Sequence, residues 1–194
     1  MKIANRDHKK LILDILSNAF DDNQSINYIV KQDRNRAKRI RSLMDYSFEI
    51  CFLYGKIFLS DNNEACALIL NPLNKKTTLQ SICLDIKLIF QSVGLKNIKK
   101  TINREGIIKR IQPKEPMNYL WFIGTDPTYQ NNGIGGSLLR SIIDLAEGEN
   151  KPIYLETSTL KNIPWYKKMG FEVYAETDLS YHLYFLKRDR KKIA

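Results

Sequence analysis

Tyr119-Leu120-Trp121-Phe122-Ile123-Gly124-Thr125-Asp126-Pro127-Thr128-Tyr129-Gln130-Asn131-Asn132-Gly133-Ile134-Gly135-Gly136-Ser137-Leu138-Leu139 reads as a strand, a tight polar turn with clustered glycines, and the start of an amphipathic helix. In that order the chain presents bare backbone N–H groups at a helix N-terminus. The positive end of the helix dipole there favours an anion, and phosphate or pyrophosphate fits best.

Outward from this stretch, the pattern predicts a helix over about Arg6–Phe20, from the spacing of Leu11, Ile12, Ile15, Leu16, Ala19 and Phe20. Asp21–Ser25 breaks it. A second helix runs through Ala37, Ile40, Leu43, Met44, Phe48 and Cys51 to about Tyr54-Gly55. Lys56–Leu59 and Glu64–Leu70, separated by Ser60–Asn63, form a hairpin closed by Asn71-Pro72. A third helical region spans Thr78 to about Asn103, with Ile82, Ile86, Ile89, Phe90 and Val93 on one face and a break at Gly94. Ile107–Pro116 reads as a basic, irregular surface passage. After the strand Asn118–Gly124 come a helix from Ile134 to about Glu147, a strand Pro152–Thr157 and a short helix Asn162–Met169. The strands Phe171–Glu176 and Tyr181–Leu186 finish the chain.

The 194 residues are 43% hydrophobic and 27% charged, an ordinary globular composition sufficient for one well-buried core. There is no membrane-length apolar run and no signal-peptide core at the N-terminus. Cys51, Cys66 and Cys83 are odd in number and sit among apolar residues, so they read as reduced core thiols in a cytoplasm. His8 and His182 are too few and too far apart for a zinc site. The net charge of +10 concentrates at Lys31–Arg41, Lys96–Arg110 and Lys187–Lys192. It reads as solvated helix faces and a cationic surface for a polyanionic cofactor, because no nucleic-acid motif accompanies it.

The turn fails two phosphate-binding patterns. Gly135-Gly136-Ser137 lacks the lysine of a P-loop, and Leu138 stands where a dinucleotide fingerprint needs glycine. What fits is Gln/Arg-x-x-Gly-x-Gly/Ala after a strand, here Gln130-Asn131-Asn132-Gly133-Ile134-Gly135. A second landmark follows at Leu155-Glu156-Thr157-Ser158 and Asn162-Ile163-Pro164-Trp165-Tyr166-Lys167-Lys168-Met169-Gly170-Phe171. Together they resemble the GNAT superfamily of N-acetyltransferases, specifically over about Met117–Phe171.

The resemblance implies an α/β (α+β) fold in a single domain, residues 1–194, with a motif-bearing core at about 117–175. Its sheet would be mixed but mostly antiparallel, with six to seven strands flanked by helices and splayed central strands. It also implies acetyl-CoA as co-substrate, no metal, and direct acetyl transfer to a primary amine. Gln130, Asn131, Asn132, Gly133, Ile134, Gly135, Gly136 and Ser137 match the pyrophosphate loop, where a Cβ at Gly133 or Gly135 would hold the backbone off the phosphates. Ile123, Gly124 and Thr125 match the strand that bonds the pantetheine arm, and Asn162 matches a residue contacting that arm.

Tyr166 matches the general acid that protonates the leaving thiolate. Glu156, with Glu115 behind it, is a candidate base, and a water chain is the alternative. Each has a structural counterpart: Tyr166 as a sheet-covering residue, Asn162 as a helix cap, Glu156 as a solvent-facing carboxylate, and His182 as structural. The acceptor would enter beside the first two helices and Thr177–His182, and a small amine is favoured over a peptide. No nucleic-acid or membrane partner is implied, and the chain would be a monomer or homodimer. The alternatives are a non-catalytic CoA sensor, a different acyl-CoA donor, or a basic nucleic-acid-binding module.

Overall fold

The run Ala65-Cys66-Ala67-Leu68-Ile69-Leu70 has no polar side chain, and it forms a strand buried on both faces in a seven-stranded sheet. The computed structural model describes residues 1–190; Lys191 and Lys192, which end the last basic run, lie outside the described residues. The strands are β1 (Lys2–Ile3), β2 (Gly55–Leu59), β3 (Ala65–Leu70), β4 (Asn118–Thr125), β5 (Ile153–Thr157), β6 (Glu172–Asp178) and β7 (His182–Arg188). Their order is β1-β2-β3-β4-β5-β7-β6, and every pair is antiparallel except β4–β5. The helices are α1 (Lys9–Ala19), α2 (Gln24–Ile29), α3 (Arg36–Tyr54), α4 (Leu79–Leu88), α5 (Ile98–Ile111), α6 (Ile134–Gly148) and α7 (Ile163–Lys168).

Two layers cover the sheet. Residues of α1, α2 and α3 pack on one face against Leu59, Cys66, Leu68, Tyr119 and Phe122. On the other, α6 sets Leu138, Leu139, Ile142, Ile143 and Ala146 against Ala65, Ala67, Leu120, Ile153 and Leu155. The far end of the first face is closed by Ile108 of α5 on Leu179, Tyr181, Leu183 and Phe185. Each stripe follows the helical spacing of its apolar residues, which is why the long helices were legible in sequence.

The parallel pair is the feature that shapes the molecule. β4 and β5 pair only at Asn118↔Ile153 and Tyr119↔Tyr154. Just beyond, β4 carries a bulge: Leu68 opposes Phe122 and Ile69 opposes Leu120, leaving Trp121 without a partner on β3. A bulge bends its strand and adds twist. From Leu120 to Thr125 the edge of β4 facing β5 therefore has no strand partner, and a cleft opens in the sheet.

Four sequence expectations need correction. Asp21–Ser25 does not simply break the chain, because Asn23 Oδ1 caps a short α2 by accepting from Ile26 N–H at 3.1 Å. The apolar stripe of α4 faces outward: Leu79, Ile82, Ile86 and Phe90 are exposed, while Ser81, Leu84 and Leu88 turn inward. Cys83 is exposed with that stripe and is no core thiol, unlike the buried Cys51 and Cys66. Ile107–Ile111 is helical, the last turn of α5, since burying Ile108 outweighs the cost of Gly106. The prolines at 113 and 116 end the helix without preventing it.

Gly124 lies where α1 presses closest on the sheet. A Cβ there would stand 3.2 Å from Ala19 Cβ and Leu16 Cδ2, and 3.4 Å from Phe20 Cε2. Gly124→Val should therefore lose about 1–3 kcal/mol in urea unfolding. Gly106→Ala, whose Cβ would meet nothing within 4 Å in mid-helix, should gain about 0.5–1 kcal/mol in the same measurement.

Candidate active site

At the open end of the cleft the chain leaves β4 through an Asp126-capped turn. Asp126 Oδ1 accepts from Thr128 N–H at 2.9 Å and from its hydroxyl at 2.7 Å. Gln130 Nε2 reaches back to Thr125 O at 3.3 Å. Asn131 and Gly133 then take left-handed conformations, with φ of 67° and 77°, and Gly133 stands as the N-cap of α6. The first helical bond is Ser137 N–H to Gly133 O at 2.9 Å, and no side chain caps the helix. Among the described residues, the N–H groups of Ile134, Gly135 and Gly136 have no partner at the positive end of a 15-residue helix.

Each of the two glycines also has a reason within the protein itself. A Cβ on Gly133 would meet nothing within 4 Å; glycine is needed there for its positive φ. A Cβ on Gly135 would stand 3.0 Å from Thr125 Oγ1, so this glycine keeps α6 against the end of β4. Gly124 is packed closely by Ala19 and Leu16 of α1 and by Phe20 just beyond it. Ile123 and Thr125 point to the α6 side, Ile123 onto the core below that helix. Gly136 faces Trp165, Met169 and Arg140, and Ser137 is exposed beside it.

Tyr166 and Glu156 lie on opposite faces of the sheet beside the cleft. Tyr166, from α7, is buried with Leu138, Leu155 and Phe171 and stacks edge-on to Phe171. Its hydroxyl makes no hydrogen bond with any described residue, yet it is not among the fully enclosed unpaired polar atoms. Burial pushes the phenol above its ordinary value of 10, so it holds its proton at neutral pH. Asn162 occupies the cap position of α7 without making a capping bond, which leaves its amide free of protein partners.

Glu156 alternates to the other face from Leu155. It is not solvent-facing. The Tyr119 hydroxyl donates to its Oε2, and Gln112 Nε2 donates to its Oε1 at 2.8 Å. Burial raises its pKa, against the lowering effect of those two donors and of the Arg104 charge. Glu115 is exposed and accepts from Tyr154 at 2.8 Å; His182 pairs with Glu176 at 2.6 Å on the outer strands. Neither borders the β4–β5 opening.

Sequence reasoning missed a polar network above Glu156. Arg104 of α5 donates from Nε to the Tyr181 hydroxyl at 2.9 Å and from Nη2 to Ser25 Oγ at 2.6 Å. Ser25 Oγ and the Tyr181 hydroxyl lie 3.2 Å apart, and Ser25 N–H donates to Ser158 Oγ at 3.3 Å. The helix face carrying Thr101, Arg104, Ile108 and Ile111 was the available signal, and reading that segment as irregular hid it. Two open depressions elsewhere, around Lys56, Asn118 and Lys151 and around Tyr28, Gly94 and Lys100, hold none of the sequence-predicted site residues.

The family described as acetyltransferase (GNAT) matches residues 101–171. N-alpha-acetyltransferase RimI of Mycobacterium tuberculosis is 38% identical over 68 residues, 34% of this chain and 42% of that protein. An uncharacterized N-acetyltransferase of Schizosaccharomyces pombe is 35% identical over 75 residues, 39% of this chain and 28% of that protein. The chain thus matches less than half the length of either relative. The crystal structure of histone acetyltransferase HPA2 and related acetyltransferase from Corynebacterium glutamicum superposes with a TM-score of 0.70 at 18% identity. That superposition covers 97% of this chain and 94% of the other, and it establishes a shared fold.

Because the folded Glu156 binds its proton more tightly than an unfolded glutamate, it weakens the fold as pH rises from 4.5 towards its raised value. Glu156→Gln should therefore gain stability relative to the wild type between pH 4 and pH 7, measured by urea unfolding at each pH. No change in the difference would place the carboxylate in water.

Proposed function

We propose that this chain, whose residues 101–171 match the acetyltransferase (GNAT) family, is a GNAT-superfamily enzyme, an acetyl-CoA-dependent N-acetyltransferase acting on a primary amine of a small molecule. The observation that carries the reading is the conjunction at the cleft. Three partnerless N–H groups at the start of α6 stand beside a strand edge stripped of its neighbour, with a buried phenol on one face and a buried carboxylate on the other.

The fit to coenzyme A is chemical. The N–H groups of Ile134, Gly135 and Gly136 suit a pyrophosphate, with Gln130, Asn131, Asn132, Gly133 and Ser137 framing the turn and Arg140 one turn further along. The free edge at Ile123–Thr125 suits an amide-bearing arm laid down as an added strand, and Asn162 offers its uncommitted amide to the same arm. A net charge of +10 draws in such a polyanion. No metal enters the scheme, and among the described residues no cluster of three or more metal-ligating side chains is present.

Bound acetyl-CoA supplies an acyl group activated as a thioester. Glu156, in its carboxylate form, takes the proton from the acceptor's ammonium, directly or through water. The freed amine forms a C–N bond at the carbonyl carbon and gives up its second proton to water, the C–S bond breaks, and Tyr166 gives its proton to the departing sulfur. Its pKa lies above a thiol's ordinary value of about 8.5, so the transfer is drawn by the breaking of the C–S bond, and the phenolate left behind regains a proton from solvent. Cys66, opposite Gly124 on β3, is fully buried and its thiol is held protonated by that burial, in keeping with direct transfer.

A small acceptor is favoured because α5 roofs the acceptor face. It is tied to α2 through Ser25 and to β5 through Gln112, with Ile108 packed between. An extended peptide needs an open groove there. With the free buried thiols Cys51 and Cys66, the reading places a single catalytic domain in a reducing cytoplasm, and no described helix is long and apolar enough to cross a membrane.

Tyr166→Phe should lower kcat by about 100- to 10,000-fold, followed as CoA release over an amine panel, with acetyl-CoA affinity held within about twofold in calorimetry. Activity in the wild type should fall on the acid side as Glu156 protonates, at a pH above the ordinary glutamate value. Turnover of no amine by a protein that binds acetyl-CoA would identify a CoA sensor instead.

A further inference from the structure

We propose that the acceptor is a zwitterion, a small molecule carrying both a primary amine and a carboxylate, read at its two ends by Glu156 and Arg104. This deepens the acetyltransfer reading and rests on it.

Arg104 is the unusual group. Its side chain is only 13% exposed, yet its enclosed partners are the neutral hydroxyls of Tyr181 and Ser25. The one carboxylate it touches belongs to Glu105, its sequence neighbour, whose side chain is 48% exposed. A guanidinium taken out of water normally sits against an enclosed carboxylate, because hydroxyl dipoles alone offset little of the desolvation cost. Arg104 has none.

Glu156 presents the mirror case. Its carboxylate is held by the Tyr119 hydroxyl and the Gln112 amide, both neutral. The two opposite charges share the face beneath α5 and are near enough for Arg104 to favour the ionised form of Glu156. No ion pair joins them, although such a pair would satisfy both. The hydroxyls of Tyr119, Tyr181 and Ser25 border them instead. One turn before Arg104, on the same inward helix face, Thr101 Oγ1 is enclosed without any hydrogen-bond partner.

Two enclosed, separated, opposite charges with an unspent hydroxyl beside one of them form the complement of an amino acid. The ammonium end answers Glu156, which is also the base that must deprotonate it. The carboxylate end meets the Arg104 fork, which can exchange its hydroxyl contacts for a two-point bond, with Thr101 as a further donor. The same pairing fixes which end faces the thioester.

The test compares matched pairs: lysine with cadaverine, phenylalanine with phenethylamine, and β-alanine with ethylamine. The wild type should favour the carboxylate-bearing member of at least one pair by about 10- to 100-fold in kcat/KM, the range set by a hydrogen bond to a charged group. In Arg104→Met that ratio should fall to near one, and Arg104→Lys should restore part of it. Calorimetric binding of the same compounds without acetyl-CoA gives the same comparison and remains readable if no transfer occurs or if the methionine variant does not fold. A wild type that takes bare amines as well as amino acids, in transfer or in binding, overturns the proposal, as does an unchanged ratio in a folded Arg104→Met. Failure of acetyl-CoA itself to bind would instead overturn the acetyltransfer reading and leave the binding comparison to decide the rest.

Discussion

Two parallel residue pairs, Asn118↔Ile153 and Tyr119↔Tyr154, are the whole of the strand pairing between β4 and β5, and the molecule is organised around where that pairing stops. A parallel sheet continues as long as both strands keep step. Here Trp121 is an extra residue in β4, and the strand bends away to keep its register with β3. Backbone donors and acceptors that a sheet would consume are left over on both sides of the gap, and unpaired backbone groups demand a partner. The cleft is a built-in deficit of hydrogen bonds in an otherwise closed sheet.

The surroundings of the gap divide the work by face. On the α6 side, helix geometry leaves N–H groups unmatched, the glycines at 133 and 135 admit the tight turn, and Tyr166 contributes a phenol that burial keeps protonated. On the α1–α2 side, Glu156 carries a charge whose enclosure raises its pKa towards the range useful to a base. The alternation of side chains along β5 separates the phenol from the carboxylate: Leu155 joins the core around Tyr166 and Glu156 turns away from it. In the proposed reaction, an amine approaching from one face and a thiol departing on the other would meet different proton carriers.

The segment from Asn71 to Met117, between β3 and β4, gives this chain its individual character. It runs outward through α4, whose apolar stripe is exposed, turns through a wide π-helical turn at Ile89–Val93 and the positive-φ Gly94, and returns as α5 over the acceptor face. Much of the polar chemistry on that face comes from this excursion: Arg104 from α5 and Gln112 just after it, meeting Ser25, Tyr119, Glu156 and Tyr181 from elsewhere. The basic charge of the segment is therefore not all surface, since one of its arginines is enclosed at the candidate site.

The sequence by itself determined α1, α3, the β2–β3 hairpin and the strand–turn–helix of β4 and α6. In each, local periodicity and turn residues agree with what the tertiary structure buries, so a short window carries the answer. It also singled out Gly133 in that turn, and Glu156, Asn162 and Tyr166 in the second motif downstream, as candidates. Tertiary structure alone decided which way α4 faces, since an apolar stripe looks the same whether it is covered or bare. It likewise decided that Gly124 packs against α1, that Trp121 ends the parallel pairing, and that Arg104 lies enclosed near Glu156, far away in the chain. Those facts depend on which surfaces meet and on the loss of water between them, and neither quantity is written in any local stretch of residues.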